Sequence, residues 1–295
     1  MPDRLRGILA LLLVTAAWGA TFPAMKDLSA HFSATSIIVV RFGLAGLLLS
    51  PCLRRAKSTD LLPGLLLGLT LFTCYLLQLR GLALTSSNRN AFITGLNVLV
   101  VPLLGLAAGR FPERKIVIAI MLAVAGLFAL CWDGSAWNHG DTLALAGAFG
   151  FGCYITMLEF SARRSANLLA LTTIQIIVVA LCGLAWWPSS ELPAHPQAWE
   201  GLIAIDGADL ANFLFLTVFA TAAMMPLQTW GQARSEANEA AVIYAFEPAC
   251  AAIAGYFWLG ETMAWRGVLG AALLIAGMIV SQWSSRGNDA RFASG

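Results

Sequence analysis

The stretch Asn88-Arg89-Asn90-Ala91-Phe92-Ile93-Thr94-Gly95-Leu96-Asn97-Val98-Leu99-Val100-Val101-Pro102-Leu103-Leu104-Gly105-Leu106-Ala107-Ala108-Gly109 decides the fold. It is an apolar run about as long as a bilayer is thick, since a hydrocarbon core of ~30 Å takes ~20 helical residues. A polar Asn97 stands near its middle, with Pro102 close behind. A second copy begins 150 positions later, at Asn238, and runs through Tyr244 to Phe246-Glu247-Pro248. The offset matches Gln78 with Gln228, Gly81 with Gly231, Ala83 with Ala233, Asn88 with Asn238, Ala91 with Ala241, Ile93 with Ile243 and Gly105 with Gly255. Seven identities in 28 ungapped positions exceed what an apolar alphabet gives by chance, so the chain carries an internal repeat. Asn97 and Glu247 fall on the same repeat position.

Composition names the solvent. Of 295 residues, 59% are hydrophobic and 12% charged, and the mean hydropathy is +0.76. Soluble domains are about 25% charged, so this is an integral membrane protein. The net charge of +2 carries no signal for nucleic acid, and no nucleic-acid partner is expected. Cys52, Cys74, Cys131, Cys153, Cys182 and Cys250 lie in or at the ends of apolar runs without paired spacing. They are expected to be free thiols packing as small apolar side chains. The first run begins at Leu5 behind two arginines, like a signal peptide, but it exceeds an h-region and further spans follow. It reads as a retained helix.

Ten runs of about bilayer length can be marked: Leu5–Met25, Ala34–Leu53, Leu61–Leu82, Ala91–Gly109, Ile116–Trp132, Asp141–Glu159, Leu168–Trp187, Ala211–Gln232, Ala240–Leu259 and Gly267–Trp283. None alternates as barrel strands do, so all read as helices. With the N-terminus in the cytoplasm, the loops on that side hold Arg4, Arg6, Arg54, Arg55, Lys57, Arg110, Arg114, Lys115, Arg163, Arg164, Arg234, Arg286 and Arg291. The outer side holds Lys26, Arg89 and Arg266, with Arg80 near it. That bias puts both termini in the cytoplasm. The loop Pro188–Leu210, acidic and without Lys or Arg, falls outside, as do His31, His139 and His195. Five spans per half make the second half start from the opposite side, so the repeats are inverted. That is a transporter architecture with its site near the midplane. The expected fold is all-α: ten transmembrane helices as two inverted five-helix repeats, residues 1–133 and 134–295, around a central cavity. Pro23, Pro102, Pro226 and Pro248 are expected to kink their helices.

The chemistry is that of a binder. A phosphate loop, Gly-x-Ser-x-Gly and an intramembrane histidine are all missing from the sequence, which argues against nucleotide hydrolysis by that loop, that serine chemistry and intramembrane zinc peptidase schemes. The chain is expected not to be an enzyme, to need no metal or cofactor, and to move its substrate along an existing gradient. Polar residues inside spans then become the candidates. An ionised Glu247 costs ~2.5–3.5 kcal/mol to insert, so it is protonated, paired or facing water. It reads as a proton- or amine-binding carboxylate or as a structural carboxyl beside Pro248. Arg41, about two turns into the second run, can snorkel outward, pair with Glu247 or bind a substrate carboxylate. Gln78, Gln228 and Gln175 can recognise zwitterions without burying charge, or bond helices together. Thr94 and Asn97 stand in the repeated stretch itself. Trp18, Tyr75, Tyr154, Tyr244 and Trp230 lie away from the interfacial belt and suit flat or amphipathic substrates and organic cations. Trp132, Trp137, Trp186, Trp187, Trp199, Trp265 and Trp283 suit the belt.

Several short motifs have a family look. Trp18-Gly19 is echoed by Phe151-Gly152. Arg41-Phe42, Ala91–Asn97, Phe246-Glu247-Pro248, Leu259-Gly260-Glu261 and Gly270–Gly277 follow in order. Together they resemble two EamA domains, as in ten-helix members of the drug/metabolite transporter superfamily. One departure is that the fourth run ends Gly109-Arg110-Phe111-Pro112-Glu113 where Leu-Gly-Glu is usual, leaving Glu113 a loose counterpart of Glu261. Within the superfamily the chain looks most like the YddG branch of aromatic amino acid exporters. The resemblance implies an exporter of the bacterial inner membrane, alternating between inward and outward states around a cavity lined by helices 1, 3, 4, 6, 8 and 9. It transfers no single substrate residue. The expected function is secondary export of amino acids, aromatic or hydrophobic, and related small metabolites. The expected partners are a small-molecule substrate and the lipid bilayer, with a monomer sufficient for transport. The alternative within the superfamily is a carrier of quaternary cations or other metabolites; nucleotide sugars would want more central Lys or Arg. A membrane enzyme or scaffold is a further alternative, and neither needs an inverted repeat.

Overall fold

Where hydropathy marks an apolar run, side-chain caps mark where four of the helices begin. Ser33, Ser86, Asn138 and Asp206 each accept the backbone N–H three residues ahead, satisfying a donor that a helix start leaves open. Helices therefore extend beyond the apolar runs. The computed structural model describes residues 3–131, 136–190, 205–259 and 265–282. Glu261, His195, Trp132, Trp199, Trp283, Arg286, Arg291 and most of the acidic loop lie outside the described residues, as does the side chain of Cys131.

All regular structure among the described residues is helical. Helix α1 runs Asp3–Gly19 and resumes as Thr21–His31, and α2 is Ala34–Leu49, trailed by a 3-10 segment Ser50–Arg55. Then come α3 (Ser58–Leu84), α4 (Ser87–Gly95, then Asn97–Ala107), α5 (Arg114–Cys131), α6 (His139–Arg164) and α7 (Leu168–Ser190). Helix α8 is Gly207–Leu214, a π-helical Phe215–Ala223 and Met224–Gln232; α9 is Ala237–Tyr244 and Glu247–Leu259; α10 is Trp265–Gln282. By length and composition α1, α2, α3, α4, α6, α7 and α8 can cross a bilayer, and α10 is a shorter apolar helix. Helices α5 and α9 fill the other two of the ten expected positions.

Three helices break at mid-length, and the prolines account for two of the breaks. Pro248 has no N–H for the carbonyl of Tyr244, and its ring crowds that carbonyl, so α9 stops there and restarts at Glu247. Pro23 does the same to Gly19 in α1. In α4 the proline releases Val98 instead, and Gly95, a weak helix former, stands at the break. The two breaks related by the 150-residue offset share one hydrogen-bond pattern. Leu96 N–H donates to Ile93 O at 3.1 Å and Leu99 to Leu96 at 3.0 Å; Phe246 donates to Ile243 at 3.1 Å and Ala249 to Phe246 at 3.0 Å. Asn97 and Glu247 thus each begin a half-helix. Helix α4 then closes on Gly109, whose φ of 73° is open to glycine at little cost, as Arg110 N–H returns to Gly105 O at 2.8 Å.

Polar groups face in and apolar groups face out, the inverse of a soluble domain and the arrangement lipid demands. Leu47, Leu62, Met121, Phe149 and Val268 are exposed, while Gln78, Gln175, Thr172, Gln228, Thr229 and Gln232 are buried. Threonines join α7 to α8, Thr172 Oγ1 to Thr229 Oγ1 at 2.7 Å. Glycines set the closest crossings. A Cβ on Gly81 of α3 would lie 2.8 Å from Gly140 O of α6, and one on its repeat mate Gly231 of α8 would lie 3.1 Å from Gly7 O of α1. Likewise Gly19 of α1 abuts α9 at Cys250, and Gly152 of α6 abuts α4 at Val100, each leaving 2.5 Å for a Cβ. The Trp-Gly and Phe-Gly echo is this contact: a glycine that lets its helix touch a broken one, beside an aromatic ring. For reference below, the near face is the end where α1 begins, and the far face is the opposite end.

Candidate functional site

The breaks open onto one cavity in the middle of the bundle. Its wall is Trp18, Thr21 and Met25 from α1; Leu71, Tyr75 and Gln78 from α3; Thr94 and Asn97 from α4; Phe151, Tyr154 and Ile155 from α6; Met225 and Gln228 from α8; Tyr244 and Glu247 from α9. These are the six helices the family resemblance implied. The space open to water centres is about 40 Å³. At ~10–15 Å³ per water that holds a few waters, so an organic ligand requires the walls to part.

The wall is aromatic with polar insets. Trp18 and Tyr244 rings lie 5.9 Å apart at 35°, and Tyr75 meets Phe151 edge-on at 5.7 Å. Trp18 Nε1 donates to Ala220 O in the π-helical turn of α8 at 2.9 Å, fixing the indole. Gln78 Nε2 donates to Thr94 Oγ1 at 3.3 Å. Tyr154 donates its hydroxyl to Gln175 Oε1 at 2.8 Å, with Gln228 Oε1 at 3.4 Å. The buried Oδ1 of Asn97 and Nε2 of Gln175 have no partner among the described residues. Glu247 has neither a hydrogen bond nor an ion pair there. Its place at the start of a half-helix gives its charge the favourable end of the helix dipole.

Nine of the eleven residues singled out from sequence meet on this wall, and two do not. Gln175 is fully buried behind Tyr154. Arg41 neither snorkels nor pairs with Glu247: only 2% exposed, it donates from Nε to Thr221 Oγ1 at 2.7 Å. Its other two contacts, Met25 Sδ at 3.6 Å and Tyr75 Oη at 3.4 Å, belong to wall residues, so the guanidinium stands one side chain behind the cavity. Trp230, also marked, lies off the wall beneath the Arg234 guanidinium at 4.0 Å. Sequence reading missed Thr21, Met25, Leu71, Phe151, Ile155 and Met225, which carry little polar signal. Only Phe151 was detectable, as the echo of Trp18.

Toward each face of the bundle stand ion pairs that the sequence alone does not join. At the far face Arg89 clasps Asp141 through Nε (2.8 Å) and Nη2 (2.7 Å), with side chains 5% and 0% exposed. Arg89 also reaches Ala136 O at 3.1 Å, and Lys26 ties α1 to Leu82 O and Thr85 O. At the near face Arg4 pairs with Glu239, which is Arg89's repeat mate. Glu159 binds Arg163 at 2.9 Å and accepts Ala237 N–H at 3.0 Å, while Arg163 reaches Ser235 O at 2.9 Å. Burial, then Glu239 and Glu159, push the neighbouring Glu236 carboxyl above its ordinary value. The matched position thus holds a cation at one face and an anion at the other, each meeting the first turns of the next repeat's leading helix. Among the described residues no His, Cys, Asp and Glu cluster is placed to hold a metal.

An all-helical bundle, apolar outside, with half-helices meeting at a polar mid-depth cavity, is the architecture of a membrane transporter. The EamA-like transporter family model matches residues 5–132 and again 138–282, and the chain belongs to that family. Over 279 residues it is 28% identical to an uncharacterized transporter of Archaeoglobus fulgidus, covering 94% of this chain and 86% of that one. A second uncharacterized transporter of the same archaeon is 23% identical over 279 residues, covering 93% and 96%. A solved structure described only as the crystal structure of a protein aligns over 99% of both chains with a TM-score of 0.73 at 15% identity, a likeness of fold.

Proposed function

We propose that the protein is a secondary exporter of amino acids, with aromatic and hydrophobic ones preferred, working by alternating access between halves 1–133 and 134–295. The observation that carries this reading is the wall itself: Trp18, Tyr75, Phe151, Tyr154 and Tyr244 beside Gln78, Thr94, Asn97, Gln228 and Glu247. Aromatic rings take up an amphipathic side chain, and amides and a carboxylate satisfy a polar backbone end. The near face, rich in Arg, is assigned to the cytoplasm of a bacterial inner membrane. The transporting unit in this reading is a monomer, supported by a cavity whose lining comes from one chain. A cycle then consists of releasing one clasp while the other holds. The test is efflux from proteoliposomes loaded with a panel of labelled amino acids. Saturable flux of phenylalanine, tryptophan or leucine is expected, and the absence of saturable flux for every amino acid overturns the proposal.

The unpaired Glu247 in an aromatic cavity also favours a second reading, an organic-cation carrier. In the same assay that reading expects a quaternary ammonium to be moved and a neutral amino acid to be ignored.

A further inference from the structure

Two opposite charges, Arg41 and Glu247, stand at the cavity within electrostatic reach of each other but without a direct ion pair. The Arg41 guanidinium is always protonated, is buried among helices, and has only neutral partners among the described residues: a hydroxyl, a thioether and a phenol. The rings of Tyr75 and Phe42, 4.9 and 5.2 Å from its central carbon, hold it in place. On the cavity wall Glu247 has no hydrogen bond or direct ion pair among the described residues, and Asn97, at the matching repeat position on the same wall, presents a buried, unpartnered Oδ1. Charges at membrane depth without a direct ion pair are costly and persist where they are used.

We propose that the substrate is read as a zwitterion, its ammonium held by Glu247 and Asn97 and its carboxylate drawn to Arg41 past Met25 and Tyr75. This rests on the amino acid reading above and adds a polarity to it. The arrangement explains why Met25 faces the guanidinium: a thioether is the weakest acceptor of the three and the readiest to yield to a carboxylate. It also explains why Asn replaces Glu on the α4 side. Two carboxylates would leave the site one charge short of balance once a neutral substrate was bound. A zwitterion satisfies both poles with no net charge carried into the membrane.

The test is competition against labelled phenylalanine efflux by 2-phenylethylamine, which lacks the carboxylate, and 3-phenylpropionate, which lacks the ammonium. In the wild type each is expected to compete at least about ten-fold more weakly than phenylalanine, the size of one charge-assisted hydrogen bond. Arg41→Met should erase the penalty on phenylethylamine, and Glu247→Gln the penalty on phenylpropionate. Met25→Ala, which clears the path to the guanidinium without removing it, should strengthen phenylpropionate about three-fold or more and guards against an Arg41 variant that does not fold. If phenylalanine moves and a folded Arg41→Met still discriminates against phenylethylamine by the wild-type margin, or Met25→Ala leaves phenylpropionate unchanged, the polarity is wrong and the exporter stands. If no amino acid moves in the wild type, the exporter reading itself has failed.

Discussion

The two faces of the bundle solve one problem with opposite chemistry. At the far face Arg89 clasps Asp141 in a bidentate pair whose side chains are 5% and 0% exposed. At the near face the same repeat position carries Glu239, and three carboxylates (Glu159, Glu236, Glu239) share Arg4 and Arg163, with the Arg4 and Arg163 side chains 23% and 37% exposed. A buried pair is dear to break because the partner left behind has no water to turn to. An exposed pair is cheap, because water replaces what is lost. The backbone repeat is near-symmetric but its two clasps are not: the far pair is buried at both partners, whereas the near pair joins a buried Glu239 to an Arg4 that reaches water.

The largest break in that contrast comes from Asp141→Asn. It takes from the buried Arg89 guanidinium its bidentate carboxylate and is expected to cost about 3–5 kcal/mol, read as a loss of thermal and denaturant stability in detergent. Pairing Arg89→Met with Asp141→Leu should recover most of it. If Asp141→Asn costs no more than the near-face change below, the two clasps are energetically alike and the contrast collapses.

Next in size is Arg4→Gln. Glu239 is itself only 5% exposed, but the Arg4 end of the pair is 23% exposed and a Gln amide can still donate to the carboxylate, so about 1–2 kcal/mol is expected. It should appear as amide exchange speeding up several-fold across Ala237–Tyr244 while Ser87–Gly95 stays as it was. Matched acceleration in both half-helices would mean that the faces open together.

The smallest effect is a pH slope at the near face alone. Burial and the neighbouring carboxylates raise the Glu236 pKa above the unfolded value of 4.5. Glu159, Glu239 and Glu113 face it with the same sign and Arg163 with the opposite one. The folded state thus binds more protons than the unfolded state in the window above pH 4.5, so stability falls as pH rises through it. The contribution is full below pH 4.5 and gone above the folded pKa. Glu236→Gln keeps an acceptor for the cap and should flatten the slope. A slope that survives it belongs to another group.

How much of this could be read from the chain follows from where each signal lives. The repeat, the ten runs and the midplane polar residues were legible, because lipid forces apolar runs of fixed length and makes each buried polar group conspicuous. Asn97 and Glu247 were paired by counting alone, and the half-helix starts at those two positions give the match a backbone meaning. The clasps were not legible. Arg89 read as an outer-side charge and Asp141 as the first residue of the sixth run, and nothing along the chain joined the two. Arg41 was visible as an intramembrane charge, yet its place behind Met25 and Tyr75, rather than on the wall, depends on how α1 and α3 pack against α2.

The sequence by itself determined the membrane, the helices, the inverted repeat and the family to which the chain belongs, since these rest on composition and on periods counted along the chain. Which side chains meet came only with packing: that six helices share one contracted cavity, that two opposite charges there stand without a direct ion pair, and that a matched pair of positions became a fully buried clasp at one face and a partly exposed one at the other. The reason is physical. Burial cost can be read residue by residue. The partner that offsets it is a matter of distance, and distance between positions 89 and 141, or 4 and 239, exists only once the helices are packed.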